Sequence, residues 1–234
     1  MKRWLNNHPK CFDLRCLEKI ANGKQRNIFL VHGRDCGPDF PDVPIVLKVP
    51  RRIERQNRLS PSKRFLRRLY PASSLRVIRK EVDYLTRASQ NCADPLCKIP
   101  IPAFMGFVET SDGTGALWEA ICDEQGQLAS TLKNLVDENR IAEALEPLNS
   151  FVKTCLKTDL VVTDMSYRNL VYGHKSGKKQ FFIVDGFGDH RMLSLREMSH
   201  QYNHGKLMLG FKKISQQTSL TFDNQTNRFC LGTN

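Results

Sequence analysis

The chain has 234 residues, 40% of them hydrophobic, and carries a formal net charge of +12. That is enough to bury a substantial core as one bilobal unit or two small domains, and no apolar run is long enough for a spanning helix. The stretch from Met1 to Lys10 has no apolar core for a signal peptide, and eight scattered cysteines without a Cys-x2-Cys pair predict reduced thiols in a cytoplasmic protein, not zinc ligands.

Taken in chain order, Cys16 to Ile20 and Asn27 to Val31 predict two strands around the turn Ala21 to Arg26. Gly23 in that turn would let backbone N–H groups approach a phosphate, with Lys24 and Arg26 adding charge; an ordinary hairpin is the competing reading. After the turn-rich stretch from Gly33 to Pro44, Ile45 to Pro50 reads as a strand that carries a single charge, Lys48. An ammonium buried there needs a partner; alternatively, Lys48 lies on the wet face of an alternating strand. The helical segment Leu75 to Leu85 places Val77, Ile78, Glu81, Val82 and Leu85 on one face. A Glu on an apolar face expects a cation, and Lys48 is the candidate.

Basic residues crowd the window between Arg51 and Lys80, where Glu54 is the sole acid. Such a cluster suits a polyanion, whether nucleic acid, anionic lipid head groups or phosphorylated glycans, or else forms a solvated helix face. Aromatic residues there are few, so stacking on single-stranded bases is not favoured. After a Pro- and Cys-bearing linker from Pro95 to Pro102, Phe104 to Glu109 and Ala116 to Ile121 predict a hairpin. A connector from Glu119 to Gly126 and helices over Leu128 to Val136 and Ile141 to Leu156 follow.

Beyond those helices comes a polar constellation: Asp164, Asn169 five residues later, and Asp185-Gly186 closing an apolar run. Asp and Asn at this spacing are weak evidence alone, because both are ordinary turn residues. The flanking runs Leu170 to Tyr172 and Phe181 to Val184, joined by Gly173 to Lys179, predict a hairpin with Asn169 at one strand's start and Asp185 at the other's end. Two hard oxygen ligands would then face Mg²⁺ on nucleotide phosphates, with Asp164 free to orient or deprotonate a hydroxyl. His190, His200 and His204 follow without a zincin-type Glu and read as surface histidines on a C-terminal helix.

These segments together resemble the YrbL family of PhoP regulatory network proteins, whose fold is protein-kinase-like. The resemblance rests on Ile20 to Phe29, Val77 to Leu85, Phe107 to Gly115 and Val161 to Asp185, and spans roughly residues 15 to 200. It implies an α+β, protein-kinase-like bilobal fold: a small antiparallel-sheet N-lobe, about residues 1–121 with a basic insertion at 51–68, and a truncated, mainly helical C-lobe, about 122–234. It further implies ATP and Mg²⁺ as cofactors. Gly23 and Lys24 would lie in the loop covering the nucleotide, Lys48 on the third strand, Glu81 on the regulatory helix, and Glu119 and Ile121 against the nucleotide at the connector. Asp164 and Asn169 would form the catalytic loop, and Asp185 the metal-binding position. The chain departs from the kinase pattern in having Val162 two residues before the Asp, where kinases carry His, and Ser166 two after it, where many carry Lys. Arg168 is the candidate to supply that charge.

Three functions follow as expectations. The first is phosphotransfer from ATP to an unidentified hydroxyl acceptor, a small molecule or glycan that the basic insertion would hold if anionic. The second is a pseudokinase acting as a regulatory binding module, and the third is polyanion or RNA binding through the Arg51 to Lys80 surface, with affinity that collapses as salt rises.

Overall fold

The computed structural model describes residues 11–22, 26–38, 40–51, 75–91, 99–175, 178–189 and 195–232. The turn bearing Gly23 and Lys24, the basic stretch from Arg52 to Arg68, and His190 lie outside the described residues. Among the described residues the chain divides into two compact units, one from residues 1–79 and 103–120 and the other from 80–102 and 121–234.

The first unit is a five-stranded antiparallel sheet in the order β1-β2-β3-β5-β4. Its strands are β1 (Glu18–Asn22), β2 (Arg26–His32), β3 (Pro44–Pro50), β4 (Phe104–Thr110) and β5 (Gly113–Glu119). A single helical turn, α1 (Gly33–Cys36), stands where the sequence predicts turns alone. Ile45, Leu47 and Val49 of β3 are fully buried and pack with Phe29, Val31, Val108 and Leu117. Because side chains alternate along a strand, Lys48 projects from the opposite face of β3. It pairs across the sheet with Ile28 and Ala116. Arg26, expected to lend charge to the turn before it, is buried at the start of β2.

In the second unit helices, hairpin strands and the loop between them all bury apolar side chains, among them Phe151, Leu160, Phe182 and Phe211. The helix α2 (Leu75–Asn91) straddles the division, with most of its length in this unit. Thr131 caps α3 (Leu132–Asp137) by accepting from Asn134 N–H at 3.1 Å. That helix starts later than the expected Leu128 because Leu128 and Thr131 are spent on bridges to Cys122 and Val171. The helix expected over Ile141 to Leu156 is split into a 3₁₀ turn, Ile141–Ala144, and α4 (Leu145–Lys157). Pro147 accounts for the break: without an N–H, and with its ring against the preceding turn, it is tolerated in a helix's first turn and not further in.

The strands β6 (Leu170–Lys175) and β7 (Lys178–Ile183) form the expected hairpin, with longer strands and a tighter turn than predicted. The chain continues through α5 (Leu195–Met198) and α6 (His200–Gln217) to a hairpin of β8 (Leu220–Asp223) and β9 (Arg228–Leu231). Buried Asn149 on α4 clamps this last hairpin, donating to Phe229 O at 3.1 Å and accepting from Phe229 N–H at 2.6 Å. No described helix is long and apolar enough to cross a membrane.

Candidate active site

The loop from Asp159 to Asn169 connects α4 to β6, and its backbone is fixed on two sides. Tyr84 of α2 is buried, and its phenol oxygen accepts from Val161 N–H at 2.7 Å. Burial pushes the Tyr84 phenol well above its ordinary pKa, so the group stays neutral beside the loop. Gly186 O accepts from both Thr163 N–H at 2.6 Å and Asp164 N–H at 3.2 Å, tying the loop to the residues after β7.

Asp164 is held at both carboxylate oxygens. Asn169 Nδ2 donates to Oδ2 at 3.1 Å and to the Asp164 carbonyl at 3.1 Å. Lys213 Nζ, from α6, donates to Oδ1 at 2.9 Å. The carboxylate remains 59% exposed, open to a substrate despite its two partners.

The hairpin brings Asn169 and Asp185 together as the sequence predicts. Leu170 pairs with Ile183, and Val184 N–H donates to Asn169 O at 2.9 Å, so the two residues flank the last rung of one ladder. Asp185 Oδ1 accepts from Gly186 N–H at 2.9 Å, which fixes the carboxylate's orientation. With its amide nitrogen turned toward Asp164, Asn169 presents Oδ1 as its oxygen for a hard cation. Among the described residues no group of three or more His, Cys, Asp or Glu could hold a metal by itself. One amide and one carboxylate suit a cation that completes its shell with water and phosphate oxygens, as Mg²⁺ does.

Lys48 and Glu81 each occupy the kind of place the sequence demands. Lys48 is 4% exposed, which rules out the wet-face reading, and its ammonium lies 4.9 Å from the Trp118 ring centroid. Glu81 is fully buried on α2. Glu119 and Ile121 have local structural duties: the Glu119 carboxylate accepts from Ala103 N–H at 2.9 Å. The Ile121 side chain packs with Ala129, Val171 and Phe182, and its carbonyl accepts from Ala129 N–H at 3.0 Å.

Arg168 does not supply the charge beside Asp164. Its guanidinium lies over the Tyr167 ring, 5.7 Å from the centroid, while Lys213 reaches the carboxylate. Lys213 comes from nearly fifty residues downstream of Asp164, and loop spacing gives no hint of it. The available signal is in α6 itself, where Asn203, Gly210, Lys213 and Gln217 fall on one side of the helix, alongside the buried Leu207 and Ile214.

His200 and His204 sit exposed on α6 with ring centroids 6.3 Å apart, and His200 Nδ1 is 3.1 Å from Asp159 Oδ1.

Comparison with known proteins gives three findings. No curated protein matches the chain. A crystal structure described as a kinase domain is similar over 72% of this chain and 48% of its own, at 15% identity and a TM-score of 0.44. The family model for PhoP regulatory network protein YrbL matches residues 12–219. That match takes in both units and every candidate residue from Lys48 to Lys213, and the chain belongs to the YrbL family of PhoP regulatory network proteins.

Proposed function

We propose that this protein transfers a phosphoryl group from ATP to a hydroxyl acceptor. The observation that carries the reading is the Asp164 carboxylate, exposed yet oriented through both oxygens, beside a hairpin end that presents Asn169 and Asp185. A structural Asx turn would use Asp164 to satisfy nearby backbone N–H groups, whereas here its oxygens accept from two side chains and face solvent.

In this reading Asp164 accepts the proton of the attacking hydroxyl, and Asn169 keeps the carboxylate turned toward it. Asn169 Oδ1 and Asp185 would hold Mg²⁺, which when bound neutralises charge on the nucleotide phosphates. Lys48, kept from water on its strand, is the residue assigned to the phosphates. A small-molecule or glycan acceptor fits the proposal better than a folded protein, since the departures at Val162 and Ser166 set this loop apart from the pattern of protein kinases. A purely regulatory module would need neither Asp164 nor Asp185.

Asp164→Ala tests the reading. With ³²P-labelled ATP and a panel of small-molecule and glycan hydroxyls, the variant should bind Mg²⁺–ATP as the wild type does. Its transfer rate should fall by about 10²- to 10⁴-fold, the usual worth of a positioned general base. Transfer at the wild-type rate would overturn the assignment.

A further inference from the structure

We infer that Lys213 is the acceptor-side cation of this site, a positioning residue delivered by α6 that holds Asp164 and balances the charge of the group in transfer. The inference rests on the phosphotransfer reading above and assigns it a residue outside the loop and hairpin.

The first observation is the contact itself. Lys213 Nζ meets Asp164 Oδ1 at 2.9 Å while Asn169 Nδ2 meets Oδ2 at 3.1 Å, so the carboxylate is fixed in plane from two directions. Each oxygen keeps a further lone pair for a hydroxyl proton. The Lys213 side chain is 45% exposed and that of Asp164 59% exposed. Pairs this wet contribute little to folding, and stability alone gives no reason to place one here.

The second observation is how α6 is aligned. Asn203 Nδ2 donates to Asp159 O at 3.1 Å, Asp159 Oδ1 at 2.8 Å and Leu160 O at 3.3 Å. Two turns later, a Cβ on Gly210 would stand 2.7 Å from Met165 Cβ, so the helix backbone approaches the loop as closely as it can only because Gly210 has no side chain. At the end of the helix, Gln217 Oε1 accepts from Tyr167 N–H at 3.1 Å. The loop thus runs alongside α6 from Asp159 to Tyr167, with contacts before and after Lys213 that fix the register. Lys213 is set at Asp164 by the whole helix, not by a chance rotamer.

The chemistry needs such a cation. As the acceptor oxygen bonds to the γ-phosphorus, its proton passes to Asp164, the bond from phosphorus to the β–γ bridging oxygen breaks, and ADP leaves with the electron pair. An anionic carboxylate must therefore sit close to an anionic phosphoryl group. An ammonium on that carboxylate offsets the repulsion, and its remaining N–H donors can reach phosphoryl oxygens. Lys213 forms and breaks no covalent bond in this step.

Binding of Mg²⁺–ADP with and without fluoroaluminate, a mimic of the transferring phosphoryl group, tests this on the full-length protein by calorimetry. Fluoroaluminate should tighten ADP binding to the wild type. Lys213→Met should leave Mg²⁺–ADP affinity and thermal stability unchanged and lose about tenfold or more of that tightening, and Lys213→Arg should restore part of it. Full tightening in Lys213→Met would overturn the inference and leave the nucleotide reading standing. A wild type that binds no Mg²⁺–ADP would overturn both.

Discussion

Gly186 follows the candidate metal ligand Asp185 with a φ of 75°, and a Cβ there would stand 2.8 Å from the Cβ of Asp164. Two requirements meet in one residue: a left-handed backbone, and an absent side chain that lets its carbonyl take the N–H groups of Thr163 and Asp164. Gly186→Ala should therefore cost about 1–3 kcal/mol of stability and should displace Asp164 as well. Urea unfolding measures the first effect, and loss of transfer from ATP the second; a variant as stable as the wild type would show that the backbone here relaxes freely. The Asp-Gly pair is visible in the sequence as a turn signal. Its positive φ and its closeness to Asp164 are not, because they depend on two segments more than twenty residues apart. Lys48 was legible for a related reason: a lone charge in an apolar strand must be explained whichever face it takes. Arg168 and Lys213 show the opposite case, since spacing favours the near residue and the fold supplies the distant one.

At the level of elements, the strands of the sheet and the hairpin β6–β7 were readable from alternation and turn residues, with ends shifted by a few positions. The missed features have local causes. Pro147 divides a helix that periodicity alone runs together, and Thr131 sets the start of α3. The terminal hairpin β8–β9 has short strands around Asn224 to Asn227 and takes its support from Asn149 on α4, which no local pattern announces. The helix α6 matters most for the candidate site, because it splints the loop from Asp159 to Asn169. Asn203 is fully buried, and its amide nitrogen serves three acceptors of the Asp159–Leu160 segment. Asn203→Ala should strand those oxygens and cost about 1–3 kcal/mol. Hydrogen exchange should show the cost as faster opening of the loop from Asp159 to Asn169; unchanged protection there would mean that α6 does not support the loop.

At the scale of the whole molecule, the chain separates into a sheet unit that carries Lys48 and a helical unit that carries Glu81, Asp164, Asn169, Asp185 and Lys213. Family membership spans both units, and the order of elements is the one expected from the sequence. The helical unit presents an exposed carboxylate held through both oxygens next to Asn169 and Asp185, and in the proposed reading a nucleotide's phosphates complete that set. The account therefore stands or falls on magnesium-dependent nucleotide binding. Calorimetric titration of the full-length protein with ATP, with and without Mg²⁺, beside an Asp185→Asn variant, measures this directly. The account predicts saturable binding that requires Mg²⁺ and is weakened by about tenfold or more in the variant; absence of binding to the wild type, or equal affinity in Asp185→Asn, would contradict it.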